Sequence, residues 1–166
     1  MRIKLLAAFL ILASLRASGQ DSTRPYLFMV DQVKELSLLT SFNVGRFSFA
    51  ELGIAWNRYG RIGPHPNGVA PYISGEIKLG DELLVGPKVG VHMMGGFAFG
   101  VCFIYYTDFD NGSFVLRPDI GIGISRFKMA YGYNWQLSNK DFDKVSSHLF
   151  MVVYLLKLKK IKEIKK

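Results

Sequence analysis

Eight ionisable side chains fall on one register of alternating segments between residues 51 and 128. They are Glu51, Glu76, Lys78, Lys88, His92, Arg117, Asp119 and Lys128. Such groups can pair electrostatically, line a polar path for ions or small solutes, or exchange protons with a substrate. Catalysis would need a nucleophile, a base and an orienting acid, and no spacing here orders those three. The favoured interpretation is a buried charge network that fixes strand register, with a polar solute track as the alternative.

Other site chemistry has little support in the sequence. His65, His92 and His148 lie far apart without ligand pairing at short range, so no metal site is expected. No glycine-rich phosphate loop occurs, and Ile120-Gly-Ile-Gly123 alternates as a strand instead of opening a helix. Cys102 is the only cysteine, which excludes an internal disulfide and favours a small buried side chain. We therefore expect no cofactor and no catalytic residue.

The elements that position these charges are clearest from Leu84 to Ile124, where three strand-like runs alternate with a period of two. One face is large and apolar, as in Phe97, Phe99, Val101 and Phe103. The other face mixes glycine with charge; its members are Gly86, Lys88, Gly90, His92, Gly100, Cys102, Arg117, Asp119, Gly121 and Gly123.

The contrast between these two faces decides whether water or lipid is expected to surround the sheet. A water-soluble sandwich or barrel buries its bulky apolar face, but glycine and ions make a poor core. If the sheet closes with its bulky face outward, lipid covers the apolar side chains and the ions fill a narrow interior. The sequence therefore predicts an all-β fold, an antiparallel up-and-down transmembrane β-barrel of about eight strands, with an interior just wide enough for side chains.

Four further strands are expected, over residues 43–59, 69–79, 127–135 and 146–156. The total is seven, whereas bacterial single-chain barrels have even numbers of strands. The eighth is expected from residues 26–44 or from a split of residues 43–59. Residues 20–42 are thus a lead-in or a first strand, and Val33–Leu39 could instead form a helical turn or two. The last strand is apolar on both sides, which leaves its facing open and makes His148 a possible interior residue.

Two connections have distinct sequence signals. Gly60–Gly68 is predicted to be the longest loop, because it holds two prolines and closes on Asn67-Gly68. Asn111-Gly112 predicts a tight hairpin, since both residues tolerate the positive φ angles of a type I′ turn.

The two ends of the chain have compositions unlike the middle. Residues 1–19 resemble a secretory signal peptide, with Arg2 and Lys4 before the apolar run Leu5–Leu15 and small residues before Gln20. Residues 157–166 form a basic C-terminal tail with six lysines. Without these two segments the basic and acidic residues balance at twelve each. The net charge of +8 therefore does not indicate a nucleic-acid-binding face, and the barrel is assigned to residues 43–156.

Several short motifs resemble the small outer-membrane β-barrel proteins of Gram-negative bacteria. They are Phe49-Ala-Glu-Leu-Gly53, Leu79-Gly-Asp-Glu-Leu83, Gly86-Pro-Lys-Val-Gly90, Tyr105-Tyr-Thr-Asp-Phe109, Arg117-Pro-Asp-Ile-Gly121 and Tyr131-Gly-Tyr-Asn134. The resemblance is to a short-barrel subfamily without assigned activity, and it implies a location and a fold but no catalytic residues. It also implies contact with outer-membrane lipid and with the barrel-insertion machinery. Such barrels usually end on an aromatic-terminated strand, whereas here a lysine-rich tail follows Phe150 and Tyr154.

Three functions are compatible with these patterns. The favoured hypothesis is an integral outer-membrane barrel, exported through its signal peptide, with a plugged polar interior and a structural or interaction role. The second is a soluble periplasmic barrel of lipocalin type that binds an apolar ligand and turns its apolar face inward. The third is a lipid-modifying outer-membrane enzyme that uses His92 and His148.

Overall fold

A computed structural model describes residues 30–62, 65–80, 82–139 and 142–164. The strands are β1 (Val30–Gly45), β2 (Ser48–Ile62), β3 (His65–Leu79), β4 (Val85–Thr107), β5 (Gly112–Ile124), β6 (Phe127–Tyr133), β7 (Trp135–Gln136) and β8 (His148–Ile164). The described residues contain no helix that is long and apolar enough to cross a membrane. The expected signal peptide at residues 1–19 lies outside the described residues.

The strands close into an antiparallel, up-and-down barrel. Sequence neighbours pair around the ring, and β8 closes it by pairing with both β6 and β1. The long β4 supplies two staves, that is, two neighbouring strand positions in the barrel wall, because residues 85–94 pair with β3 while residues 96–107 pair with β5. The two halves turn back on each other at Gly96, whose φ is +89°, and a Cβ added at Gly90 would lie 2.7 Å from the carbonyl oxygen of Val101.

The short β7 continues β6 along the same neighbour. β5 pairs with β6 through residues 119–124 and with β7 through residues 115–116, so the two segments form one interrupted stave. With β4 counted twice, the barrel has eight staves, which confirms the predicted all-β, antiparallel, up-and-down barrel of about eight strands.

The eighth strand comes from the N-terminal part of the described chain. β1 covers Val30–Gly45 and pairs with β2 and β8, so the expected helical turn at Val33–Leu39 is wrong. The predicted run 43–59 belongs to two strands, because it crosses the β1–β2 turn at Arg46 and Phe47. The backbone N–H and C=O groups of Val33–Leu39 pair with β2 on one side and with β8 on the other. A helical turn would instead pair such groups within its own segment.

The basic C-terminal segment is also a strand for most of its length. β8 continues through Ile164, and Lys157, Lys159 and Lys160 lie opposite Ser37, Leu36 and Glu35 of β1. The predicted boundary at Leu156 is therefore wrong for the fold. Leu156 lies just beyond the part of β8 that pairs with β6, because β6 begins at Phe127, which pairs with Tyr154.

Both predicted connections differ in detail. β2 ends at Ile62 and β3 begins at His65, so only residues 63–64 separate strands where a nine-residue loop was expected. The pairing of Arg61 with Pro66 and of Gly60 with Asn67 extends the hairpin through the prolines. The turn before β5 lies two residues earlier than predicted, because Phe109 (φ 76°) and not Asn111 takes the positive φ. The carboxylate of Asp108 accepts the backbone N–H groups of Asp110 and Asn111 and so holds that turn.

Alternation sorts the side chains into two unlike faces. Phe99, Val101, Phe103, Ile120 and Ile122 are exposed, with 40–60% of their surface accessible. The alternate positions of the same strands are buried, among them Ala98, Cys102, Ile104 and Arg117. On β8, Leu149, Met151, Val153 and Leu155 face inward, which settles the facing that the sequence left open.

A glycine on the inward register allows two strands to approach closely. A Cβ added at Gly121 would collide with the carbonyl oxygen of Met129 and lie 2.5 Å from the Cα of Ala130. A side chain there would have to move a neighbouring backbone, which a closed ring resists. This explains why the interior face of β5 carries glycine beside Arg117 and Asp119.

The two ends of the barrel differ in their connections. At one end, the termini end, lie Val30, Ile164, the end of β2 with the start of β3, and the short turns at 95–96 and 125–126. At the other, the loop end, lie the connections 46–47, 80–84, 108–111 and 137–147.

Candidate functional site: the polar interior

The centre of the interior is the carboxylate of Glu76, on β3, which is fully buried. Arg117 on β5 donates to it through both terminal nitrogens, at 2.8 Å to Oε1 and 3.1 Å to Oε2. Lys88 (3.2 Å) and Asn43 (3.0 Å) donate to Oε2, and Tyr106 donates to Oε1. Four staves therefore direct donors at one carboxylate, which compensates its removal from water.

Arg117 joins Glu76 on β3 to Asn134, which lies between β6 and β7 next to β5. Its Nε donates to Oδ1 of Asn134 at 2.6 Å, and a terminal nitrogen also donates to the hydroxyl of Tyr106. Asn134 in turn donates to the carbonyl of Ser146 at 2.6 Å, which ties the β6–β7 interruption to the long loop. Asn134 thus links the interior charges to the long loop at the point where the stave is interrupted.

A second carboxylate shares Lys88. The ammonium of Lys88 lies 2.7 Å from Glu51 Oε2, and Ser74 donates to Oε1 of Glu51 at 2.6 Å. Glu51 and Lys88 are both nearly inaccessible. Two carboxylates and two cations therefore share one chain of contacts, and their formal charges cancel.

A third group lies nearer the termini end. Lys128 on β6 is ion-paired with Asp119 on β5, and its ammonium is 2.8 Å from Nδ1 of His92. The His92 ring stacks on Tyr72 with centroids 4.4 Å apart. A ring nitrogen that accepts from an ammonium cannot itself carry a proton, so His92 is held neutral here.

Seven of the eight residues singled out in the sequence are buried in the interior. Lys78 is not part of the network: its ammonium pairs with Glu82 at 3.2 Å and lies over the Phe47 ring, at the loop end. It lies only two residues past Glu76, where the strand already reaches the barrel rim. His148, the possible ninth member, is on the outer surface, where it contacts Tyr131.

Another buried cluster, centred on the carboxylate of Glu35, was not anticipated from the sequence. Glu35 on β1 is 1% exposed and takes a bidentate pair from Arg126, at 2.8 and 2.7 Å. Asn57, Ser37 and Tyr59 also donate to it. The alternation of Glu35, Ser37, Leu39, Ser41 and Asn43 would have revealed the inward register of β1, had that segment been recognised as a strand.

The connections at the loop end carry exposed ion pairs. Asp108 accepts the backbone N–H of Asn111 at 2.7 Å, and Lys144 lies 3.0 Å from its Oδ2. The Asn111 hydrogen bond and then Lys144 lower the pKa of the Asp108 carboxyl from its ordinary 3.8. The pKa of Glu82 is lowered for a like reason, first by its hydrogen bond to Lys78 and then by the charge of Lys144.

The arrangement favours a structural network over a reactive one. Each interior carboxylate is paired with a cation, and the described residues include no group of three His, Cys, Asp or Glu side chains that could hold a metal ion. The two histidines of the enzyme hypothesis lie on opposite sides of the barrel wall, so they do not share one site.

Comparison with family models, with curated proteins and with solved structures finds no match for this chain.

Proposed function

We propose that this chain is a small integral outer-membrane β-barrel, with its interior plugged by charge pairs and with a structural or interaction role. The observation that carries the proposal is the outer surface. Every stave presents large apolar side chains outward, and the charged side chains of the described residues lie inside the barrel or toward its two ends.

The size of this surface is the first argument. Soluble monomers rarely expose contiguous apolar patches larger than a few hundred Å². Here the exposed apolar side chains encircle the barrel; those with more than half of their surface accessible include Leu52, Ile73, Phe97, Phe103, Phe114, Ile120, Ile122, Trp135 and Phe150. Hydrocarbon is the solvent in which such a surface is stable.

The connections and the aromatic residues support the same location. Bacterial outer-membrane barrels have short periplasmic turns and longer external loops, and here the three longest connections, 80–84, 108–111 and 137–147, share the end opposite to Val30 and Ile164. Tyr131, Tyr133 and Trp135 lie on one outward face toward the loop end, as expected of an interfacial aromatic girdle. The lipocalin-type alternative would need these side chains around the central axis, and they lie on the outside.

Fractionation is the direct test of the location. The full-length chain, expressed in a Gram-negative host, should sediment with outer membranes and show heat-modifiable mobility on gels. Recovery in the soluble periplasmic fraction would overturn the proposal.

Cysteine labelling tests the facing of the wall. Val101→Cys in a Cys102→Ala chain should react with a lipid-phase thiol reagent, whereas the natural Cys102, which is buried in the interior, should not. Gly100 is unsuitable as the inward position, since a Cβ there would collide with Asp119 and Lys128. Reaction at Cys102 but not at position 101 would contradict the proposal.

A further inference from the structure

Three cations lie side by side across three neighbouring strands at the termini end. Lys34 on β1 is directly opposite Arg58 on β2 and directly opposite Lys162 on β8. We call these three residues the cation row. Directly opposed residues share a face with Cβ atoms about 5 Å apart, and like charges in such positions are destabilising. Within the described part of the chain, none of the three forms an ion pair with a carboxylate.

Protection of a sheet edge does not explain the row. Lysines often occupy exposed edges, where they prevent pairing with other chains, and Lys162 lies on the part of β8 beyond the end of β6. Lys34 and Arg58, however, lie on strands that have a neighbour on both sides. Their unfavourable arrangement therefore has to be compensated by something other than edge protection.

A cleft of about 430 Å³ lies against two members of the row, Lys34 and Arg58. Its lining also includes the apolar side chains of Trp56, Val69, Pro71 and Ile161, together with Asn57 and with Glu35, whose carboxylate is ion-paired with Arg126. Trp56 is the outward residue that precedes Arg58 on β2, so the cleft lies where the apolar outer surface meets the cations. Charge and apolar surface are thus adjacent in one depression.

We propose that this cleft binds an anionic glycerophospholipid of the surrounding leaflet. Its phosphate lies among the cation row, and the first part of one acyl chain lies along Trp56 and Ile161. This inference rests on the proposed membrane location. An anionic headgroup is preferred over a zwitterionic one, because three uncompensated cations attract net negative charge and a choline would bring a further cation against them.

Tryptophan quenching tests the proposal. The chain has two tryptophans, Trp56 in the cleft and Trp135 at the loop end, so Trp135→Phe leaves a reporter in the cleft. The full-length variant is reconstituted into phosphatidylcholine vesicles that contain an equal fraction of acyl-brominated phosphatidylglycerol or acyl-brominated phosphatidylcholine. The brominated phosphatidylglycerol should be enriched about five-fold or more at Trp56.

Two triple variants separate a site from a general field. Lys34→Gln, Arg58→Gln and Lys162→Gln together should abolish the preference. Arg61→Gln, Lys157→Gln and Lys159→Gln remove the same charge from the same end of the barrel but leave the row intact, and should keep it. In the Trp56→Phe chain, Trp135 should show no preference between the two lipids.

Each contrary outcome has one meaning. Equal quenching of Trp56 by the two lipids would overturn the lipid site and leave the membrane location standing. Equal loss of preference in both triple variants would also overturn it, because the attraction would belong to the whole basic end. No quenching of Trp56 by either brominated lipid would overturn the membrane location itself.

Discussion

At the scale of single residues, the interior depends most on Glu76. It accepts hydrogen bonds from Arg117, Lys88, Tyr106 and Asn43, and it is fully buried. Its partners come from β1, β4 and β5, so this one carboxylate links staves that are distant in sequence. A buried ion pair contributes little by its mere presence, but the loss of one partner leaves the other charges uncompensated.

Glu76→Gln should therefore destabilise the barrel by about 3–5 kcal/mol, because Arg117 would lose its carboxylate partner and Lys88 would keep only Glu51. The free energy of unfolding is measured by urea titration in detergent micelles, with the folded fraction followed on unheated gels. Glu82→Gln is the matched control, since Glu82 is an exposed carboxylate that also pairs with a lysine. An equal fall in stability for both variants would contradict the central role of Glu76.

The pKa of Asp108 gives a second prediction at this scale. Its pKa is lowered in the folded chain, so the ionised carboxylate stabilises the turn above the ordinary value of 3.8 and this contribution is lost as the pH falls through the lowered value. Lys144→Ala should raise the pKa of Asp108 part of the way toward 3.8, because the Asn111 hydrogen bond remains.

The side-chain carboxyl of Asp108 can be titrated by NMR in micelles. Arg46→Ala serves as the control, since Arg46 pairs with Asp143 at 2.7 Å and not with Asp108. If the Asp108 pKa stays the same in Lys144→Ala, Lys144 does not stabilise the ionised form.

At the scale of elements, β8 extends beyond its neighbour β6 and is accompanied there by β1. Residues 157–164 of β8 pair only with residues 32–37 of β1, because the pairing of β8 with β6 does not extend past Tyr154. Residues 38–45 of β1 pair with residues 149–156 instead. The last part of β8 thus supports one half of β1 and leaves the other half unaffected.

Removal of residues 157–166 should accordingly release only that half of β1. Amide hydrogen exchange should become at least about ten-fold faster over residues 32–37 at the positions that donate to β8, while residues 38–45 stay protected. The full-length chain is the reference. Uniformly faster exchange across all of β1 would contradict the division of the strand.

Most elements followed from alternation, and the exceptions have physical reasons. Ile120, Ile122 and Ile124 alternate with glycine and charge, so β5 was clear from the sequence. In β1 the register shifts between Val30 and Val33, and Leu38-Leu39 puts apolar residues on both faces. The lysines of β8 suggested a solvated tail because both faces meet water there, yet backbone pairing with β1 holds the segment as a strand.

Interior partners could be predicted less well than interior positions. The alternation of residues along each strand was enough to place Arg117 and Glu76 on the inward face. Their ion pair, however, joins residues that are 41 apart in the sequence, and it depends on the stagger of the intervening strands. Tyr106 was missed because the inward register of Cys102 and Ile104 was not followed to the end of its strand. Lys78 belongs to the inward alternation as predicted, but alternation does not indicate that a residue lies at the rim of the barrel.

At the scale of the whole molecule, the interior is closed by its own side chains. Arg117, Tyr106, Lys128, Leu39 and Ile104 are among the largest fully buried side chains. An eight-stranded barrel has room for such side chains and little else. Among the described residues, the interior carboxylates are each paired with a cation.

Vesicles that contain the reconstituted chain should therefore release a small trapped solute no faster than protein-free vesicles. Detergent lysis gives the full-release reference, and heat-modifiable mobility of the recovered protein shows that it was folded. Rapid release through the folded wild-type chain would instead support a polar solute track.

The pairing of β8 with β1 has a consequence for biogenesis. The seam joins the first described strand to the last, so no partial product of synthesis can complete the ring. Until residues near 149–156 are synthesised, both β1 and β6 have an unpaired hydrogen-bonding edge. Such edges can pair with other chains, so an incomplete chain is exposed to aggregation, and the ring can close only after β8 has been made.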